Sequence, residues 1–230
     1  MTQIKVEYIN HCGDDLSVVD AARCSFDKKS EAAWREGEEF GLKESDIKLI
    51  KYLATHKHFS PFNHSFISVR VKAPVFVARQ LVKHKFMPWN EVSRRYVQSD
   101  VEFYTPESWR KAAENVKQGS SDEAIDISIL GDMENPERSC VFHPHEVNDV
   151  ALDTYNKLLE LGVCAEEARM VLPQSMMTTW IWSGTLGAFC DMLVLRLDEH
   201  TQYETRVVAQ QVAEIVKGLF PVSYKALVEK

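Results

Sequence analysis

Hydrophobic residues recur along this chain with two periods, and the exchange of one for the other marks out its elements. Ile4 to Asn10 alternates as a short strand does. Asp15 or Ser17 is placed to cap a helix through Val18, Ala21 and Ala22, since a short polar side chain there can accept a free N–H of the first turn. Residues 28–44, charged and holding Gly37 and Gly41, read as an exposed excursion. Ser45 then caps a helix with Ile47, Leu49, Ile50 and Leu53 at helical spacing, ending near His56. Beyond Pro61, Ile67, Val69 and Val71 alternate with Ser68, Arg70 and Lys72, which predicts a half-buried strand closed by Pro74. Proline suits a first helical turn, so residues 75–85 are predicted helical, with Gln80, Lys83 and His84 on one face.

Residues 119–150 hold eight acids against the single base Arg138, the pattern of a surface insertion or loop. Helical spacing returns over Val147 to Leu161 and Ala165 to Leu172, residues 177–184 look extended, and Leu186 to Leu197 and Gln202 to Leu219 are the last two predicted helices. Helices outnumber strands without alternating with them. The expected class is therefore α+β, a central antiparallel or mixed sheet with flanking helices and a helical lobe. A single domain over residues 1–230 is expected, with excursions at about 28–44 and 119–145.

Composition narrows the function. Of 230 residues, 45% are hydrophobic and 27% charged, ordinary globular values. No apolar run approaches the ~20 residues that span a bilayer, and the N-terminus has no basic segment followed by an apolar one. A soluble, cytoplasmic protein is expected. Cys12, Cys24, Cys140, Cys164 and Cys190 form no C-x-x-C pair and read as reduced thiols. The net charge of -7 disfavours nucleic acid and anionic membrane as partners. Yet Arg70 to Tyr96 carries seven cations (Arg70, Lys72, Arg79, Lys83, Lys85, Arg94, Arg95) against Glu91, a local +6 that leaves -13 on the rest. Such a stretch suits a compact anion, with phosphate the obvious candidate. Neither G-x-G-x-x-G nor a Walker loop is present, so side chains and helix ends must hold any nucleotide.

Three constellations can carry chemistry. Residues 83–96 combine cations with Asn90, Glu91, Ser93 and Arg95, acceptors, a hydroxyl and a planar fork able to fix a heterocycle and a phosphate together. The plainer reading, a cationic helix C-terminus before a polar loop, leaves that mixture unexplained. The second runs from Leu195 to Glu204, where Arg196, His200 and Glu204 read as helical neighbours. Exposed pairs of that kind contribute only ~0.3–0.5 kcal/mol, but Arg196 ends an apolar helix, where a half-buried guanidinium needs an anionic or carbonyl partner. The third is His56, His58, Ser60, Asn63 and His64. Zinc would want a carboxylate or cysteine at suitable spacing, so a turn before the next strand is the favoured reading, with His58 free to face a ligand. Serine hydrolase chemistry lacks its G-x-S-x-G elbow.

In this order the constellations resemble the flavin-dependent thymidylate synthases, whose signature is R-H-R, seven residues, then Ser. Here stand Lys83-His84-Lys85 and Ser93 at that interval, with Asn90, Glu91, Arg95 and Tyr96 around them. The likeness continues through Ala21-Ala22-Arg23-x-Ser25-Phe26, His58-x-Ser60-Pro61-Phe62-x-His64, Ala78-Arg79-Gln80, Ala168-Arg169-x-x-Leu172-Pro173 and Arg196-x-Asp198-x-His200-x-Gln202-x-Glu204. It implies reductive methylation of dUMP to dTMP, with methylenetetrahydrofolate as carbon donor, NADPH as reductant, bound FAD as hydride source and no cysteine nucleophile. It also implies a homotetramer whose active sites lie where subunits meet. Carried onto this sequence, Gln80, Lys83, Glu91, Val92, Ser93, Arg94, Arg95, Arg169 and Arg196 would hold dUMP. Ser25, Ser60, Lys83, His84, Lys85, Glu91, Thr185 and Asp191 would contact FAD. Arg196, His58 and Ser93 are the catalytic candidates, with His200 and Gln202 bracing Arg196. Lysines replace both signature arginines, keeping the charge but losing the bidentate fork. Two other readings use the same residues: a nucleotide-binding relative weakened by those lysines, and a single-strand nucleic-acid module with Trp89 and Tyr96 as stacking surfaces.

Overall fold

The computed structural model describes residues 3–31, 33–34, 40–114, 119–127 and 143–229. Its centre is a four-stranded antiparallel sheet of order β1-β4-β8-β5, formed by β1 (Lys5–Cys12), β4 (Phe66–Pro74), β8 (Met177–Thr185) and β5 (Trp89–Glu91). Two antiparallel pairs lie outside it, β2 (Ala33–Trp34) with β3 (Phe40–Gly41) and β6 (Trp109–Ala112) with β7 (Ser120–Ile125). The eight helices of the described residues are α1 (Asp15–Arg23), α2 (Glu44–Thr55), α3 (Val75–Leu81), α4 (Pro144–Glu160), α5 (Ala165–Ala168), α6 (Leu186–Arg196), α7 (Tyr203–Leu219) and α8 (Pro221–Leu227). The α+β expectation holds, and every sheet pairing is antiparallel.

Strand β4 pairs with β8 from Phe66 opposite Thr185 to Pro74 opposite Met177. That register sets Ile67, Val69, Val71 and Ala73 beside Gly184, Trp182, Trp180 and Thr178, all on the buried face. Over that face lies α7, whose Val208, Ala209, Val212, Ala213 and Val216 are buried at helical spacing. Each buried valine or larger contributes roughly 1.5–3 kcal/mol relative to exposure. Helices α1, α2, α6, α7 and α8 pack on one another as the expected helical lobe. The opposite sheet face is polar: Ser68 and Ser183 share a hydrogen bond of 2.8 Å, and Arg70 is exposed.

Several local expectations are corrected. The N-cap of α1 is Asp14, whose carboxylate accepts from Ser17 N–H while the Ser17 hydroxyl accepts from Asp14 N–H. Asp15 instead accepts from Val222 N–H at 2.8 Å and Ser223 N–H at 2.9 Å, tying α1 to the start of α8, a helix beyond the last one expected. Lys43 precedes α2 without a side-chain cap, so Ser45 lies inside the helix. Helix α3 stops at Leu81, short of the expected Lys85, and α4 starts at Pro144 rather than Val147. Within the acidic stretch, residues 120–125 form strand β7 rather than a loop, and residues 144–150 already belong to α4. Residues 128–142 of that stretch, with Cys140, and part of the 28–44 excursion lie outside the described residues.

Candidate active site

Helix α3 leaves the β4–β8 pair at its Pro74 end and α6 leaves it at its Thr185 end. Their C-termini meet. Arg196 Nε donates to His84 Nε2 at 3.0 Å, and Arg196 Nη2 donates to the Gln80 carbonyl at 3.5 Å. A cation there also favours the negative ends of both helices. Burial, then the neighbouring Arg196 charge, pushes the His84 pKa down to about 4, so the ring is neutral at pH 7. With Nε2 accepting, its proton sits on Nδ1. Because α3 ends early, Lys83, His84 and Lys85 occupy a turn, not a helical face shared with Gln80. Phe86 in that turn is exposed and has φ of 61°, a left-handed backbone costing a bulky residue ~1–3 kcal/mol.

The expected helical row Arg196, His200, Glu204 does not form, since α6 ends at Arg196 and α7 starts at Tyr203. His200 pairs with Asp198 at 3.1 Å, and Gln202 reaches Gln80, so neither braces Arg196 directly. His84 and the Gln80 carbonyl do so instead. Gln80 Nε2 donates to Gln202 Oε1, and Gln80 Oε1 accepts from the Thr205 hydroxyl at 3.2 Å. Gln202 Nε2 donates to Glu204 Oε2 at 3.2 Å. Buried Glu204 pairs through Oε1 with Arg110 Nη2 at 2.7 Å and accepts from the Tyr104 hydroxyl at 3.4 Å.

A second group forms past β5. Glu91 accepts from the Thr178 hydroxyl at 2.7 Å and Trp89 Nε1 at 3.0 Å, which fixes the carboxylate over β8. Ser93 Oγ accepts from Arg95 N–H at 3.3 Å, leaving its own proton to donate. Val92 N–H is spent on the Thr179 carbonyl, and Arg94 on the carbonyls of Val97, Ser99 and Asp100, so Arg94 shapes the loop. Arg95 and Arg169 converge on one residue: Arg95 Nη1 lies 3.3 Å from Glu166 Oε1 and Arg169 Nε donates to the Glu166 carbonyl at 3.4 Å. All three side chains are exposed, so an incoming anion can replace the acid.

The third group lies at the other end of β8. Thr185 caps α6 by accepting Ala188 N–H at 3.2 Å and donates to Asn63 Oδ1 at 2.8 Å. A Cβ on Gly187 would come within 2.6 Å of that oxygen, so a larger residue there would have to push the Asn63 amide off Thr185. Ser60 opens the short turn 60–63 and is exposed, as are His58 and Asp191. Ser25 sits in an exposed turn held by buried Asp46, which pairs with Arg23 and accepts from the Ser30 hydroxyl. Lys83 and Lys85 are exposed and form no ion pair among the described residues. This donor set fits a flavin dinucleotide: cations for a pyrophosphate, exposed hydroxyls, and Phe26 and Phe86 bared at 76% and 86% for a ring system.

The pattern reading missed Arg110, Tyr104, Thr205, Glu166 and Asp46. One signal was available: Glu204 falls in the apolar stripe of α7, where a buried acid demands a partner. The partners could not be read, because Arg110 lies 94 residues away. Among the described residues no group of three or more His, Cys, Asp or Glu could hold a metal ion. No described helix is long and apolar enough to cross a membrane.

Comparison with known proteins bears on the family and the fold. Residues 7–222 match the model of the thymidylate synthase complementing protein family. A flavin-dependent thymidylate synthase of Thermus thermophilus is 37% identical over 224 residues, 97% of this chain and 75% of that protein. One from Kosmotoga olearia is 37% identical over 221 residues, 96% of this chain and 88% of that protein. Among solved structures, a UMP/dUMP methylase from Streptomyces cacaoi bound with 5-Br dUMP superposes with a TM-score of 0.76 at 30% identity, covering 98% of this chain and 95% of that one. Matched over almost its whole length by family and fold, the chain belongs to the flavin-dependent thymidylate synthase family.

Proposed function

We propose that this chain methylates dUMP to dTMP reductively, with methylenetetrahydrofolate as carbon donor, NADPH as reductant and FAD as cofactor. The observation that carries the reading is the seating of Arg196 on neutral His84 beside the basic turn. Arg196 spends Nε and one Nη2 proton internally, leaving the rest of its fork for a ligand. Against a uracil edge that fork favours the ring ionised at N3, a charge-assisted contact worth ~1.5–3 kcal/mol. Arg95 and Arg169 suit the nucleotide phosphate, and the Ser93 proton, free to donate, suits the same ligand. Gln80, Glu91 and Lys83 complete the dUMP set, with the Val92 N–H and the Arg94 guanidinium shaping its loop.

Ser25, Ser60, Lys83, His84, Lys85, Glu91, Thr185 and Asp191 would hold FAD, and His58 would lie against the flavin and folate. When bound, FAD supplies hydride chemistry between NADPH and the carbon being transferred. No thiol is assigned a role: Cys190 is buried and burial pushes its thiol pKa up, so it is a poor nucleophile. The reading includes a cytoplasmic homotetramer with sites shared between subunits. Exposed Phe86, Tyr96 and Met170, at 86%, 77% and 75% beside the candidate groups, support the assembly.

The test is titration of FAD-loaded protein with dUMP, followed by flavin absorbance. Saturable binding that weakens at least ~10-fold in Arg95→Met and Arg169→Met supports the reading. Wild-type protein that takes up no FAD, or binds dUMP equally well with both arginines removed, overturns it.

A further inference from the structure

The orientation of the Gln80 amide is dictated from a distance. A carboxylate only accepts, so Glu204, held by Arg110 at 2.7 Å and Tyr104 at 3.4 Å, can receive nothing from Gln202 but an N–H. Burial, then the Glu204 charge, pushes the Tyr104 phenol up to about 12, so Tyr104 remains a donor. The Gln202 amide must therefore turn its Nε2 to Glu204, at 3.2 Å, and its Oε1 to Gln80. Gln80 must in turn offer Nε2 to Gln202 and Oε1 to Thr205, at 3.2 Å. Each amide has two possible orientations in isolation. Here the charged end of the chain leaves one.

We propose that the Arg110–Glu204 ion pair is a positioning device for the nucleotide site, acting through Gln202 to fix which edge of the Gln80 amide meets the substrate. Arg110 belongs to the β6–β7 hairpin, outside the central sheet, and Glu204 is the second residue of α7. Its carboxylate is only 4% exposed, a buried charge whose desolvation needs a use. One amide proton and one oxygen lone pair of Gln80 remain after Gln202 and Thr205 are satisfied. Turning the amide exchanges the two, so a donor would face a ligand acceptor's place and the reverse. Arg110 and Glu204 themselves are positioning residues. The inference rests on Gln80 contacting dUMP, as proposed above.

Glu204→Gln tests it because it reverses the chain without leaving a gap. The oxygen of the introduced amide then faces Arg110, its nitrogen points to Gln202, and every amide onward inverts, with the Thr205 hydroxyl accepting in place of donating. The fold and FAD retention should survive, while dUMP affinity, read by flavin absorbance, falls ~10–100-fold. The swap Gln202→Glu with Glu204→Gln restores an acceptor beside Gln80 and should recover dUMP affinity to within ~3-fold of wild type. A merely structural ion pair would give no such recovery. Wild-type dUMP affinity in a folded Glu204→Gln variant overturns the proposal, as does a double variant as weak as the single one. Failure of the wild-type protein itself to bind dUMP would instead overturn the functional reading. Should Glu204→Gln unfold, Arg110→Lys keeps the charge and should weaken dUMP binding by less than ~3-fold; a loss as large as that expected of Glu204→Gln would refute the mechanism.

Discussion

Replacing Arg196 by lysine asks whether its shape, as distinct from its charge, matters. The guanidinium donates to His84 at 3.0 Å and to the Gln80 carbonyl at 3.5 Å while presenting its remaining N–H groups outward. A lysine ammonium cannot reach two internal acceptors and also present a planar pair. Loss of the charge-assisted contact to the ionised uracil should cost ~1.5–3 kcal/mol in the transition state, about 10–150-fold in kcat/KM for dUMP. Stability should move much less. The exchanged internal bonds are worth ~0.5–1.5 kcal/mol net, a Tm shift of a few degrees for a chain of this size. The assay is dTMP formation at limiting dUMP, with FAD content measured on the same preparation. A folded, FAD-loaded Arg196→Lys protein with wild-type kcat/KM would show that the fork does not act on the nucleotide.

Three further outcomes are expected. His84 titrates at about 4 when folded against an ordinary 6.5, so the unfolded chain takes its proton first as pH falls. Stability from this group is therefore fully present above pH ~6.5, declines toward pH ~4 and levels off below. The difference in urea midpoint between wild type and His84→Asn should change over that window and be flat from pH 7 to 8; a pH-independent difference would remove the neutral-imidazole assignment. Asp15→Ala leaves the Val222 and Ser223 N–H groups at the start of α8 without their acceptor, and should cost ~2–4 kcal/mol in urea unfolding; a loss below ~0.5 kcal/mol would mean that α1 does not hold α8. A chain with all five cysteines replaced by serine or alanine should keep its turnover per folded protein, apart from up to ~2 kcal/mol of stability lost at buried Cys190. Abolished dTMP formation in that folded variant would require a thiol.

How much of this is legible in the sequence depends on how local each determinant is. The strands β4 and β8 can be read because one face of each is buried, which imposes a period of two on Ile67, Val69 and Val71 and on the tryptophans opposite. Strand β5 cannot, since its three residues pair with β8 through the backbone while Trp89 is only half-buried. Caps shift by one to three residues at α1 and α2 because several polar residues stand next to each other at both starts. The site is legible as residue types. The cations, Ser93 and Arg196 draw attention by composition and by likeness to a family. Their partners do not, because His84 meets Arg196 across 112 residues and Gln80 meets Gln202 across 122. Glu204 shows the difference most clearly. Spacing sets it in a surface row with His200, whereas its position on the buried stripe of α7 calls for a charged partner from elsewhere.

With flavin, this chain turns dUMP into dTMP. The direct measurement is chromatographic detection of dTMP from purified protein given dUMP, methylenetetrahydrofolate and NADPH, before and after FAD is stripped and restored. Product should form only when all three substrates and FAD are present, with activity returning on FAD addition. FAD-replete, folded protein that leaves dUMP unchanged would contradict it.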